Sequence, residues 1–278
     1  MSRRKYQFSE AKIQKYLKEG RGTGDGANYR PWLTVYDVPS TGRSHRVYGI
    51  KTGRIHYLLS DGEWKSFIRF EFDDTVLDIR EQFPLDRRQT MQAACKLGYK
   101  HPITTDGTPY VMTIDFLLTR RVGDRLALEA LSFKYNPAEL KERETQLHEI
   151  AAECVQSNGL TLRFIDETYF EPNFIRNYDS IRGCFDISAL HGYDPSLAQR
   201  IAKALITAVK AAKPRLLEET CYEIAAQHQV SANEVFTIAK HLLARGVLAC
   251  DLSAYADLAE VPMSKIWIRP QGAWVCQQ

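Results

Sequence analysis

The chain has no Cys-x-x-Cys pair, no Gly-Lys-Ser or Gly-Lys-Thr triplet, no internal repeat and no low-complexity tract. Its six cysteines (Cys95, Cys154, Cys184, Cys221, Cys250, Cys276) lie far apart, which argues against a zinc site. At 278 residues it is also too long for a fold held by disulfides, so a reducing cytoplasm is the expected compartment. No apolar run approaches the ~20 residues needed to span a bilayer. The opening Met-Ser-Arg-Arg-Lys has no apolar segment behind it and does not read as a secretory signal. One glycine-rich stretch is present, Gly20-Arg-Gly-Thr-Gly-Asp-Gly26, but a phosphate loop needs a strand before it and a helix after it. Here a helical pattern precedes and Tyr29-Arg-Pro-Trp32 follows, so a flexible connector is expected.

What is present begins with charge. Residues 1–56 hold twelve Lys or Arg against four acids, a net of +8 against +3 for the whole chain, so the remainder is net acidic. A basic segment carrying Tyr29, Trp32 and Tyr36 suits a polyanion such as DNA, although a merely solvated basic arm has the same composition. Around the first expected hairpin, Arg43, His45, Arg46, Lys51 and Arg54 are the candidate DNA contacts. His45 and His56 flank its turn and are candidate phosphate contacts, although a plain role as strand residues near that side is the favoured reading. Ser44-His45 lacks a nucleophile-elbow context and a partner acid, which sets a hydrolase aside.

Hydrophobic periodicity predicts a helix over 8–19, capped by Ser9, with Phe8, Ile13, Tyr16 and Leu17 on one side. A hairpin at 45–59, a helix at 61–71, a strand at 75–83 and a helix from Asp86 to Gly98 follow. Residues 109–135 read as a long hairpin turning at Gly123-Asp124, where Gly in the first central position suits a type II′ turn. A helix over 137–157 and a strand at 160–165 close a mixed α/β domain, assigned to residues 1–168. Residues 169–278 form a second, mostly helical domain, with helices at 194–211, 215–228 and 232–245 and strands at 247–252 and 265–270. Helix, short turn, helix and hairpin is a winged-helix pattern, though plain docking modules share it. Lys203, Lys210, Lys213 and Arg215 fit a DNA patch or the solvated side of a helix, the latter being favoured, and Trp267 and Trp274 read as packing residues of the last hairpin.

The chemistry concentrates in the run Val111-Met-Thr-Ile-Asp-Phe-Leu-Leu118, a buried-strand pattern interrupted by one carboxylate. If Gly123 and Asp124 are the turn, Val122 pairs with Arg125, and continuing that register sets Asp115 opposite Ser132 and Thr113 opposite Lys134. Cross-strand partners share a face, so Asp115, Ser132 and Lys134 fall together. An acid on one strand and a lysine on the next form the core of PD-(D/E)xK nucleases. That chemistry needs a divalent cation to polarise a phosphoryl oxygen and activate water, and a lysine to orient the water or offset developing charge. An Asp–Lys pair serving only the strand gives the same pattern. Glu63, in Ser60-x-x-Glu63, also matches a helix capping box, and a first-turn glutamate in that role can still face a cleft.

With these residues assembled, the chain resembles the TnsA family, endonuclease subunits of heteromeric transposases. The runs that carry the resemblance are EGRGTGDGANYRPWLTVYDVPSTGRSHRVY, KTGRIHYLLSDGE, VLDIREQFPL, LGYKHPI and VMTIDFLLT, across roughly residues 8–135. It implies a restriction-endonuclease-like α/β catalytic domain followed by a winged-helix-like domain. It implies catalytic Glu63, Asp115 and Lys134, and a Mg²⁺ (Mn²⁺ substituting) held by Glu63, Asp115 and the main-chain carbonyl of Phe133. Ser132 would support the metal or water at one remove. It further implies cutting of the 5′ strands of double-stranded DNA at transposon ends. The implied partners are a TnsB-like DDE transposase and, through the second domain, a TnsC-like AAA+ ATPase. Two departures stand out. Ser132 occupies a position where the family usually carries Gln, and the helix after the hairpin lacks the family's usual aromatic run. Ser132 keeps open a non-catalytic assembly factor bridging DNA, transposase and ATPase, and a stand-alone restriction-type nuclease is a further alternative.

Overall fold

The computed structural model describes residues 8–38, 42–104, 106–136, 139–190 and 192–270. The chain divides into two units, Met1–Tyr169 and Phe170–Gln278, each with its own core.

The first unit opens with α1 (Glu10–Lys18), capped by Ser9 Oγ on the Lys12 N–H. Phe8, Ile13, Tyr16 and Trp32 bury together, while Leu17 is exposed. Strands β1 (His45–Gly49) and β2 (Arg54–Leu58) form a separate antiparallel hairpin, and α2 (Asp61–Phe72) follows. The main sheet has the order β3 (Val76–Pro84), β4 (Thr113–Val122), β5 (Arg125–Phe133), β6 (Leu162–Ile165). The first three are antiparallel and β6 runs parallel to β5, which requires a crossover, supplied by α4 (Glu142–Ser157). α3 (Arg87–Leu97) starts on Asp86 and stops at Gly98, as expected. Phe67, Ile68 and Phe70 of α2 are fully buried, and Phe70 meets Phe116 of β4 edge to face. A second cluster joins α3 and α4 to Leu117, Ala130 and Leu162 of the sheet.

The β4–β5 register is the one the turn predicts: Val122 pairs with Arg125 and Phe116 with Leu131. Gly123 has φ +60 while Asp124 keeps a negative φ, which fits type II′ rather than I′. The helix after this hairpin begins at Glu142, later than the 137 expected, and residues 137–138 lie outside the described ones. The glycine-rich stretch is a defined loop rather than a flexible connector: Gly22 N–H bonds Arg30 O at 2.6 Å and Arg30 N–H bonds Thr23 O at 3.1 Å.

A buried ionic group fastens the small hairpin to the main sheet. The Glu81 carboxylate accepts both Arg54 Nη1 (2.8 Å) and Nη2 (2.6 Å), and pairs with His56 Nδ1 at 2.8 Å. Burial alone would push this carboxyl up; the charge of His56 and the Arg54 bonds outweigh it and hold Glu81 at about 2.

The second unit packs α5 (Pro172–Arg182), α6 (Pro195–Ala211), α7 (Leu217–His228) and α8 (Ala232–Ala244) with a short hairpin, β7 (Leu248–Cys250) and β8 (Ile266–Ile268). The sequence reading missed α5, although Pro172 at its start and Phe174, Ile175, Tyr178 and Ile181 on one stripe are helical signals. Lys203, Lys210, Lys213 and Arg215 are exposed, and all but Lys210 join Arg200 in lining an open cleft of about 590 Å³. Trp267 is half exposed rather than packed, and Trp274 lies outside the described residues.

Candidate active site

One end of the main sheet gathers the end of β3, the start of β4 and the end of β5, and the first turn of α2 sits beside it. The acid-bearing strand and the lysine-bearing strand therefore present their key residues at the same edge.

Asp115 is fixed from β5. Its Oδ2 accepts the Phe133 N–H at 2.7 Å, its own N–H donates to Ser132 Oγ at 3.3 Å, and Lys134 Nζ lies 3.7 Å from Oδ2. The expected trio of Asp115, Ser132 and Lys134 is brought together. Ser132, however, is buried and its hydroxyl serves the Asp115 backbone.

Glu63 arrives from α2 in the capping-box role that its spacing announces. Ser60 Oγ accepts the Glu63 N–H at 3.1 Å, and the Glu63 side chain reaches back, Oε1 accepting Ser60 Oγ–H at 3.3 Å and Oε2 accepting Leu59 N–H at 2.9 Å. The carboxylate is buried, and its hydrogen-bond donors here are all neutral. Burial first, then the negative charge of Asp115, pushes its pKa up to about 8 against the bonds from Leu59, Gln82 and Ser60. Capping and a place at the site thus coexist in one side chain.

Gly62 sets how closely α2 approaches β5. A Cβ there would lie 1.9 Å from Phe133 Cε1, so only glycine lets the Phe133 ring rest on the first turn of the helix. That contact places the Glu63 turn against the Phe133–Lys134 segment.

Gln82 belongs to the site and escaped the sequence reading. It is buried, has φ +47 within a strand, and donates Nε2 to Glu63 Oε2 at 3.1 Å while Oε1 accepts Thr113 Oγ1 at 3.3 Å. Its carbonyl turns to Trp32 N–H at 3.2 Å. A left-handed glutamine is strained by about 1–3 kcal/mol, and such strain collects at functional sites. The only sequence signal was a polar residue in a strand run, which is a weak one. His148 of α4 also lies near. Its pKa is lowered by burial and then by the charge of Lys134, and its ring sits against Phe164, the β6 neighbour of Ser132.

The candidate DNA contacts separate. Arg54 is committed to Glu81 and to Ile79 O, and His56 is fully buried between Glu81 and Thr52, so neither is available to a phosphate. Lys51 directs its ammonium to the carbonyls of Asp73, which caps the end of α2, and Val76, which opens β3. His45 stacks on Trp64 and pairs with Asp61 at 2.6 Å. Arg43 and Arg46 remain exposed. Tyr29 and Trp32 are core residues rather than nucleic-acid contacts, whereas Tyr36 is exposed.

Among the described residues no group of three or more His, Cys, Asp or Glu gathers as a metal cluster. Two carboxylates that repel one another, one of them buried, do suit a small divalent cation that prefers oxygen ligands and keeps part of its water shell. Residues 73–167 match the family described as TnsA-like endonuclease N terminal, a stretch that includes Gln82, Asp115 and Lys134 but not Glu63. The transposon Tn7 transposition protein TnsA of Escherichia coli is 45% identical over 153 residues, which cover 55% of this chain and 55% of that protein. The match thus spans about half the length of that curated relative. Through part of its first unit the chain is therefore similar to the TnsA family of endonucleases.

Proposed function

We propose that this protein is a metal-dependent DNA endonuclease subunit of a transposase, cutting the 5′ strands at transposon ends for cut-and-paste transposition. The observation that carries the reading is the pairing of buried Glu63 with Asp115, beside a lysine, at one end of a mixed sheet. Mg²⁺, or Mn²⁺ in its place, would be held by Glu63, Asp115 and the Phe133 carbonyl, and would polarise the scissile phosphate and make water nucleophilic at neutral pH. Leu59 N–H and Gln82 fix one oxygen of Glu63, and Phe133 N–H fixes one oxygen of Asp115, so both carboxylates are oriented before substrate arrives. Lys134 orients the attacking water and offsets charge developing on the phosphate. The proposed partners are double-stranded DNA at transposon ends, a TnsB-like DDE transposase, and a TnsC-like AAA+ ATPase reached through the second unit, which would act as a winged-helix-like docking module. The similarity to a transposition protein supports the setting.

The test is strand-specific nicking of an end-containing DNA with the TnsB-like partner, in Mg²⁺ and in chelator. Metal-dependent 5′ nicks support the reading, and their absence while the partner's 3′ cut persists in an assembled complex counts against it. One observation favours a second reading, a non-catalytic assembly factor: Ser132 turns its hydroxyl to the Asp115 backbone, leaving the position short of the amide the family usually places there. Under that reading Asp115→Ala leaves transposition products unchanged, whereas loss of a nuclease shifts them from simple insertions to cointegrates.

A further inference from the structure

The outward face of the β1–β2 hairpin is aromatic. Arg46 pairs with Tyr57 and Tyr48 with Ile55 across the strands, and cross-strand partners project from the same face. Tyr36 joins them from the preceding loop, its ring centroid 6.2 Å from that of Tyr57 at 63°. The Arg46 guanidinium lies 5.6 Å from the Tyr36 ring and 5.8 Å from the Tyr57 ring, within cation–π range of both. These are not core residues: Tyr36 is 72% exposed, Tyr48 60% and Ile55 41%.

The face adjoins the catalytic edge. Tyr57 precedes by two residues Leu59, whose N–H holds Glu63, so about 7 Å of backbone separates Tyr57 from that contact and about 13 Å separates Ile55, the partner of Tyr48. Its charge is low for a duplex footprint. Lys51 and Arg54 turn their charged ends into the protein, while Arg46 lies against the tyrosine rings and Arg43 is exposed two residues before β1. Duplex binding rests mainly on phosphate neutralisation by clustered cations. Exposed rings with an interleaved arginine suit unpaired bases instead, because a base offers its face for stacking only outside the helix.

We infer that the Tyr36, Arg46, Tyr48 and Tyr57 face of this hairpin holds an unpaired DNA strand next to the cutting site by stacking its bases on the tyrosines. The inference rests on the endonuclease reading for its DNA partner and adds the strand state that the protein selects. A strand anchored there would leave the adjoining phosphodiester within reach of Glu63, Asp115 and Lys134.

The test is equilibrium binding of the full chain, in chelator so that nothing is cut, to a blunt duplex and to the same duplex carrying an unpaired 5′ flap. The flap substrate is expected to bind more tightly. Tyr48→Ala with Tyr36→Ala should lower flap affinity by about 5- to 150-fold for each stacked base lost. The blunt duplex should be bound as by wild type. Tyr48→Phe with Tyr36→Phe keeps the rings and should keep the preference, which separates stacking from a folding defect. Equal binding of the two substrates by wild type, or equal weakening of both by the alanine variant, overturns the inference. So does an alanine variant that binds both substrates as wild type does, as it would if a protein covers the face. Because the measurement involves no cleavage, a protein that nicks DNA but shows no flap preference loses only this inference. One that prefers flaps but never nicks loses only the endonuclease reading.

Discussion

Glu63→Gln removes one of two mutually repelling carboxylates from a buried site, so in the absence of a divalent cation it should stabilise the protein. The size follows from the pKa. Glu63 sits at about 8 in the fold against 4.5 for an unperturbed glutamate. A raised carboxyl pKa means that the unfolded chain releases its proton first, so the folded state loses ground as pH rises above 4.5, and goes on losing it until about 8. At 1.36 kcal/mol per unit, this penalty is on the order of 3 kcal/mol at neutral pH and at most about 5 kcal/mol above pH 8. Glutamine, isosteric and uncharged, carries no such penalty. Urea unfolding of the first unit from about pH 5 to about pH 9 in chelator should therefore show wild type falling away from the variant as pH rises, by a few kcal/mol. Added Mg²⁺ should close the gap for wild type alone, because a bound cation stabilises only the form that binds it. Parallel pH curves for the two proteins, in chelator, would refute the reasoning.

Three further outcomes follow from the same geometry. Gly62→Ala should cost about 1–3 kcal/mol by overpacking against the Phe133 ring, and should depress nicking more than its melting shift explains; a variant with wild-type nicking contradicts the contact's role. Gln82→Gly relieves the φ +47 strain but removes the amide from Glu63. Urea stability should stay within about 1 kcal/mol of wild type while the Mn²⁺ half-saturation, read by calorimetry, rises several-fold. Arg54→Ala leaves Glu81 and His56 buried without their arginine and should destabilise the first unit by about 3–5 kcal/mol in a urea melt; a shift under 1 kcal/mol would place Arg54 back among surface contacts.

The sequence made the local features legible. Gly123-Asp124 set the hairpin register, because a two-residue turn leaves one pairing, and that register alone brought Asp115, Ser132 and Lys134 together. Ser60-x-x-Glu63 announced its cap, and the cap is what delivers the carboxylate. What stayed hidden depends on partners distant in the chain. Arg54 read as a DNA contact and His56 as a strand residue near the DNA side, and both are buried on Glu81, 25 residues beyond His56. Tyr29 and Trp32 sat in a basic segment whose composition suggested DNA, yet they pack inward. Gln82 owes its place to a backbone reversal that no glycine or asparagine signals. The helix at Pro172–Arg182 carried a stripe and a starting proline, but its N-cap residue, Glu171, makes no side-chain capping bond.

The most direct measurement compares wild type with Asp115→Ala, each with the TnsB-like partner on a DNA end, in Mg²⁺ and in chelator, reading each strand separately. The account predicts 5′-strand nicks that require the metal and vanish in the variant, with the 3′ cut retained. Nicks of equal yield in Asp115→Ala, or 5′ strands left intact by wild type in an assembled complex, would contradict it.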